Sequence, residues 1–113
     1  MKAFHIDATA KTISVVEYEG LADLQKMVGG NIELAYCRAN GDAVFVDDEG
    51  LFKYRQFFTM PDGHQPFAGN GVIVGREFPG SSRTRPPRST LEELQRIVKF
   101  FDHAQMHRGY GTA

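Results

Sequence analysis

Three groups of residues in this sequence have types and spacings that bear on chemistry. The first is the bend Gly69-Asn70-Gly71, with Asp62, Gly63 and His64 shortly before it and Arg76 just past the following apolar run. Small residues let backbone N–H groups converge on an anion, and Arg76 adds positive charge. His64, Gly69, Asn70, Gly71 and Arg76 are therefore the candidate ligand-binding set, suited to a phosphorylated small molecule such as a nucleotide. The spacing is neither a P-loop nor a dinucleotide fingerprint, because no Lys-Ser/Thr pair and no helix follows. Plain turn chemistry is the simpler reading of the same residues.

The second group is basic: Arg76, Arg83, Arg85 and Arg88, the last three within a polar, Pro-containing stretch. Nucleic-acid contact needs positive charge converging on several phosphates. This patch is local, on a chain of net charge −1. A solvated loop, contact with an acidic protein or phosphorylated ligand, and nucleic-acid contact are its readings, in that order. The third group is the acidic turn Asp47-Asp48-Glu49-Gly50. It lacks the oxygen ligands at loop spacing that calcium needs, and reads as a solvated hairpin turn or a surface for a basic protein.

Single residues add little. Cys37 lies in the run from Ile32 and reads as a half-buried strand cysteine, with no local base to activate it. His103 and His107 are four apart but lack a His-Glu-x-x-His pattern. His5 falls on a strand and His64 in a turn, and neither has an identifiable acid partner. We therefore expect no catalytic residue, no metal ligand and no cofactor, and a protein that is not an enzyme. Phe52, Tyr54, Phe57 and Phe58 crowd one segment and read as core, with an interface as the alternative.

The elements that would position these groups follow from periodicity. Residues 2–7 and 12–18 read as two antiparallel strands joined by a short link. Leu21, Leu24, Met27 and Val28 line one helical face, which Gly29-Gly30 ends. Ile32, Leu34 and Tyr36 alternate with shorter or charged neighbours. Asn40-Gly41 then signals a hairpin turn into Ala43-Val44-Phe45-Val46. Residues 51–58 satisfy both a period of two and a period of 3.6, and read as a strand or an irregular segment. Val72-Ile73-Val74 reads as a buried strand, and residues 79–89 as a flexible basic loop. Ser89 with Glu92, or Thr90 with Glu93, makes a capping box for a last helix. Its stripe Leu91, Leu94, Ile97, Val98 and Phe101 predicts a helix to about His103, with residues 108–113 a frayed tail.

These segments predict a small single α+β domain over residues 1–113, with an antiparallel or mixed sheet of four to six strands and two helices. A chain of 113 residues, 42% hydrophobic and 24% charged, has ordinary globular composition. One cysteine allows no internal disulfide, which fits a reducing compartment. No stretch approaches the ~20 apolar residues that span a bilayer, and Asp7 interrupts the opening before any signal-like apolar run. Charge is uneven. Residues 1–50 carry four Lys/Arg against nine Asp/Glu, and residues 51–113 carry nine against five.

Four stretches resemble the DUF3846 family of short proteins found in bacteriophages, plasmids and actinobacterial genomes. They are Ile6-Asp7 with Thr12-Ile13, the run from Gly20 to Gln25, the run from Gly41 to Gly50, and the run from Pro66 to Gly75. The resemblance implies a mobile-element context and transfers no activity. With no paired catalytic groups, it makes a non-catalytic binding or adaptor protein that contacts a host protein the leading expectation. Nucleotide binding or sequestration, and nucleic-acid binding through the basic loop, are the alternatives. The expected partners are a protein or a second copy of the chain, then a phosphorylated small molecule, then nucleic acid, and no membrane. The expected location is the cytoplasm, that of the host cell if the protein is phage-encoded.

Overall fold

Val72, Ile73 and Val74 are β-branched, fully buried and central to the main sheet. The protein is described from a computed structural model that covers residues 1–61 and 65–106. In chain order the first elements are β1 (Lys2–Asp7), β2 (Thr12–Glu17), α1 (Leu21–Val28), β3 (Ile32–Cys37), β4 (Ala43–Asp47) and α2 (Gly50–Lys53). Then come β5 (Gln56–Thr59), β6 (Phe67–Ala68), β7 (Gly71–Arg76), β8 (Thr84–Arg85), α3 (Leu91–Ile97), β9 (Lys99–Asp102) and α4 (His103–Met106). The main sheet has six strands in the order β2-β1-β7-β4-β3, with β8 added to the end of β7. A smaller sheet of three strands runs β6-β5-β9. All pairings are antiparallel. The fold is the α+β domain that the segment pattern predicts, with more and shorter strands.

Alternation along the strands divides the core into two layers. Phe4, Ile6, Val44, Val46 and Ile73 point to one face and meet Phe58 and Met60 near the small sheet, with Leu94 of α3 and Val98 just after it. Ala3, Ala43, Val72 and Val74 point to the other face and meet Leu24 and Val28 of α1. Both faces of β7 are thus covered. That is why its sequence is uninterrupted apolar rather than alternating, although its neighbours are antiparallel.

The predicted N-terminal hairpin is present, with Phe4 opposite Val15 and Ile6 opposite Ile13. Helix α1 ends as its glycines predict: Gly29 takes φ +92°, and the Gly29 and Gly30 N–H groups both donate to the Gln25 carbonyl. The Asn40-Gly41 turn joins β3 to β4, with Gly41 at φ +96°. Residues 51–58 divide: Gly50–Lys53 is a helical turn rather than the expected strand or irregular segment, and Gln56–Thr59 is a strand.

The last helix is shorter than its stripe predicts. Thr90 caps α3 by accepting from the Glu93 N–H at 3.1 Å, but the helix stops at Ile97 rather than near His103. Lys99–Asp102 instead becomes β9, with Phe100 opposite Phe58 and Phe101 opposite Phe57. Val98, Phe100 and Phe101 suit a strand as well as they suit a helical stripe, and pairing with β5 decides between them. No helix among the described residues is long and apolar enough to cross a membrane.

A buried carboxylate ties the start of β4 to the start of α3. Asp42 accepts from the Arg88 N–H at 2.9 Å, the Ser89 N–H at 2.8 Å and the Ser89 hydroxyl at 2.6 Å. Arg38 donates to Ser89 Oγ at 2.7 Å and to Glu93 Oε1 at 3.2 Å, extending the network onto the helix. Removing one member of a buried charged network strands the others. Asp42→Ala is therefore expected to cost about 3–5 kcal/mol. Urea unfolding checks this as a lower midpoint at unchanged slope. A loss below about 1 kcal/mol, the worth of a surface pair, would contradict the tie.

Candidate functional site

The sequence-selected residues fall at two ends of the β7 ladder. At one end is the glycine bend. Gly69 has φ +80°, and a Cβ there would strike the Tyr54 ring. A Cβ on Gly71 would lie 2.6 Å from Phe58 Cζ, and Asn70 Oδ1 accepts from the Ala8 N–H at 3.0 Å. The small residues thus admit aromatic rings from the protein's own interior. Arg76 is at the far end of the six-residue strand, about 17 Å away at ~3.3 Å per residue. Its guanidinium lies 5.8 Å from the Phe45 ring centre and 4.0 Å from Cys37 Sγ. The structure does not bring Arg76 to the bend, and His64, with Asp62 and Gly63, lies outside the described residues.

The arginines gather at that far end. Arg85 pairs opposite Gly75, and Thr84 opposite Arg76. Arg83 is 4.0 Å from Glu77. Arg88 is 4.0 Å from Asp42 and donates to the Glu77 carbonyl at 3.4 Å. Arg85 is exposed, its Nε donating to the Pro86 carbonyl. Cys37 is exposed as well. His5 Nε2 sits 2.9 Å from the Met27 carbonyl oxygen. His103 is exposed, and His107 lies outside the described residues.

The acidic turn differs most from its sequence reading. Asp47 is buried rather than solvated. It receives the Lys53 ammonium at 2.6 Å, the Tyr54 hydroxyl at 2.9 Å and the Glu49 N–H at 2.9 Å. Lys53 also donates to the Gly29 carbonyl at 3.1 Å, and the Tyr54 hydroxyl lies 3.2 Å from the Val28 carbonyl. The triad therefore stitches the end of β4 and α2 to the last turn of α1. Gly30 leaves it room, since a Cβ there would sit 2.8 Å from Asp47 Oδ2. The acidic run hides this because its partners lie six and seven residues downstream; the one trace is an aromatic beside a lysine after an acidic turn.

Beside the triad is a hollow of about 280 Å³. Val46, Leu51, Phe57, Phe67 and Ala68 supply its apolar wall, and Glu33 and Asp48 its acidic rim. The described residues that line it include no lysine or arginine. Leu51 is 76% exposed and Phe52 91%, both on α2. Of the four crowded aromatics, Phe57 and Phe58 are core, Tyr54 serves Asp47, and Phe52 faces solvent. An apolar wall with an acidic rim is complementary in chemistry to an apolar side chain next to a cation.

Burial pushes the Asp47 carboxyl up, but hydrogen bonds from Lys53, Glu49 and Tyr54, with the Lys53 charge, hold it below the ordinary carboxylate value. Burial and then the Asp47 hydrogen bond raise Tyr54. The Asp47 hydrogen bond raises Lys53. Below about pH 4 the unfolded chain binds more protons at Asp47 than the folded chain does. The triad's stability is then lost as pH falls through the lowered Asp47 value. Above about pH 10 the folded chain retains protons on Lys53 and Tyr54 that the unfolded chain has released, so stability is also lost as pH rises. Asp47→Asn is expected to cost about 1–3 kcal/mol near neutrality. It should also flatten the acid limb, so that its gap from wild type narrows between about pH 5 and pH 2. Urea midpoints across that range check this, and parallel acid limbs would contradict it.

A family profile described as "Domain of unknown function (DUF3846)" matches residues 1–97, a span that includes the main sheet, the Asp47 triad and the hollow. No curated protein and no solved structure matches the chain. The match takes in most of the sequence, and the chain belongs to the DUF3846 family.

Proposed function

We propose that this chain is a non-catalytic binding protein of a phage or mobile element that contacts a host protein, and that the partner docks at the hollow beside α2. The observation that carries this reading is the exposure of Leu51 and Phe52 next to an apolar wall. Large apolar side chains left together in water beside a concavity favour a protein contact. The mobile-element context rests on the family resemblance.

Size and charge both favour a side chain over a nucleotide. The hollow's 280 Å³ falls just below the ~300–1,000 Å³ typical of small-molecule sites. Glu33 and Asp48 on its rim repel phosphate. The residues first suited to a phosphorylated ligand stand apart, with Gly69 and Gly71 packed on Tyr54 and Phe58, and Arg76 at the other end of β7.

The double variant Leu51→Glu/Phe52→Glu tests the docking site. Both side chains are exposed, so unfolding should shift by less than about 0.5 kcal/mol. Affinity capture from the host, with wild type and variant in parallel, should retain a protein that the variant loses by about tenfold or more, a change of ~1.4 kcal/mol. Equal retention by both chains, or no protein retained by wild type, would refute the reading.

A further inference from the structure

We propose that in the free protein the hollow is occupied by a second copy of this chain, whose Phe78 enters it from the tip of the β7–β8 hairpin. The proposal rests on the reading of the hollow as a docking site and names its occupant. Phe78 is 60% exposed. The hairpin below it is closed by the Glu77 N–H donating to the Arg83 carbonyl at 3.1 Å, and its turn by the Ser81 N–H donating to the Phe78 carbonyl at 3.0 Å. An aromatic side chain is thus held out in water on a hydrogen-bonded turn.

The hairpin's charges complement those of the hollow. Arg76, Arg83 and Arg85 flank Phe78 along the hairpin, with Glu77 the sole acid from residue 76 to residue 85. The hollow offers an apolar wall with Glu33 and Asp48 on its rim. An aromatic ring among arginines therefore meets an apolar hollow between carboxylates.

Topology requires the contact to be between copies. Val46, in the hollow wall, lies opposite Gly71 at the start of β7, whereas Ala43 lies opposite Val74, near the strand's end. Phe78 follows that end, so the hollow and the hairpin sit at opposite ends of the β4–β7 ladder. No chain can place its own Phe78 in its own hollow. The contact joins two different surfaces, so each copy keeps one hairpin and one hollow, and the assembly grows into a chain or closes into a ring. A host protein using this site displaces the hairpin, and presents the same chemistry.

Sedimentation equilibrium on wild type, Phe78→Ser, Leu51→Glu and an equimolar mixture of the two variants tests the assembly. Wild type should gain mass with concentration at low salt. It should return toward the monomer at about 1 M salt, where the Debye length falls to ~3 Å. Each variant alone should remain a monomer, while the mixture forms dimers and nothing larger, because it retains one intact hollow and one intact Phe78 per pair. A wild type that stays monomeric up to about 1 mM, a variant that associates like wild type, or a monomeric mixture would each overturn the proposal. Circular dichroism of each variant confirms that it is folded. A monomeric wild type whose Leu51→Glu/Phe52→Glu variant still loses the captured host protein rejects the second copy and leaves the docking site standing. Self-association without any captured protein keeps the second copy in the hollow and rejects the host partner.

Discussion

Strand β4 is held at its two ends by buried carboxylates, Asp42 just before it and Asp47 as its last residue. Five positions separate them, an odd number, so a strand of period two sends them to opposite faces of the sheet. The contacts agree. Asp42 meets Ser89 at the start of α3 on one face. Asp47, through Lys53 and Tyr54, meets the carbonyls of Gly29 and Val28 at the end of α1 on the other. One strand thus positions both flanking layers. Burying two carboxylates is expensive and adds little net stability. Its return is placement, since each layer has one register in which the carboxylate is satisfied.

The hollow is a consequence of the Asp47 end. Drawing Lys53 and Tyr54 inward turns Gly50–Lys53 into a single helical turn. Leu51 and Phe52, between Asp47 and its partners, are left facing water. Phe57 and Phe67 close the wall from the small sheet. At the other end of the ladder, the β7–β8 hairpin carries Arg76, Arg83 and Arg85 and leaves Phe78 exposed. The molecule therefore presents an acid-rimmed hollow at one end of the ladder and an arginine-bearing hairpin at the other, and the binding role proposed for it draws on that contrast.

Much of the scaffold was legible in the sequence. The β-branched run at 72–74, the Asn40-Gly41 turn and the Gly29-Gly30 helix stop all act locally, so composition and spacing reveal them. The end of α3 was not, because Val98, Phe100 and Phe101 serve a helix or a strand equally well and only the distant β5 selects the strand. The site was the least legible part. Asp47-Asp48-Glu49-Gly50 has the composition of a solvated turn, and nothing local marks Asp47 as the one that is buried. Gly69 looked like an anion cradle, whereas its missing side chain makes room for Tyr54, fifteen residues earlier. Both errors come from one cause: small or charged residues acquire their roles from partners outside their own turn.

Residue-resolved hydrogen exchange on Asp47→Asn addresses the central claim that Asp47 organises the hollow. The amides of Gly29, Gly30 and Tyr54, hydrogen-bonded within the elements that Asp47 joins, should exchange at least about tenfold faster. Those of Arg88 and Ser89, which donate to Asp42, should be unchanged. Uniform acceleration through the sheet, or undisturbed protection at Gly29, Gly30 and Tyr54, would contradict the account.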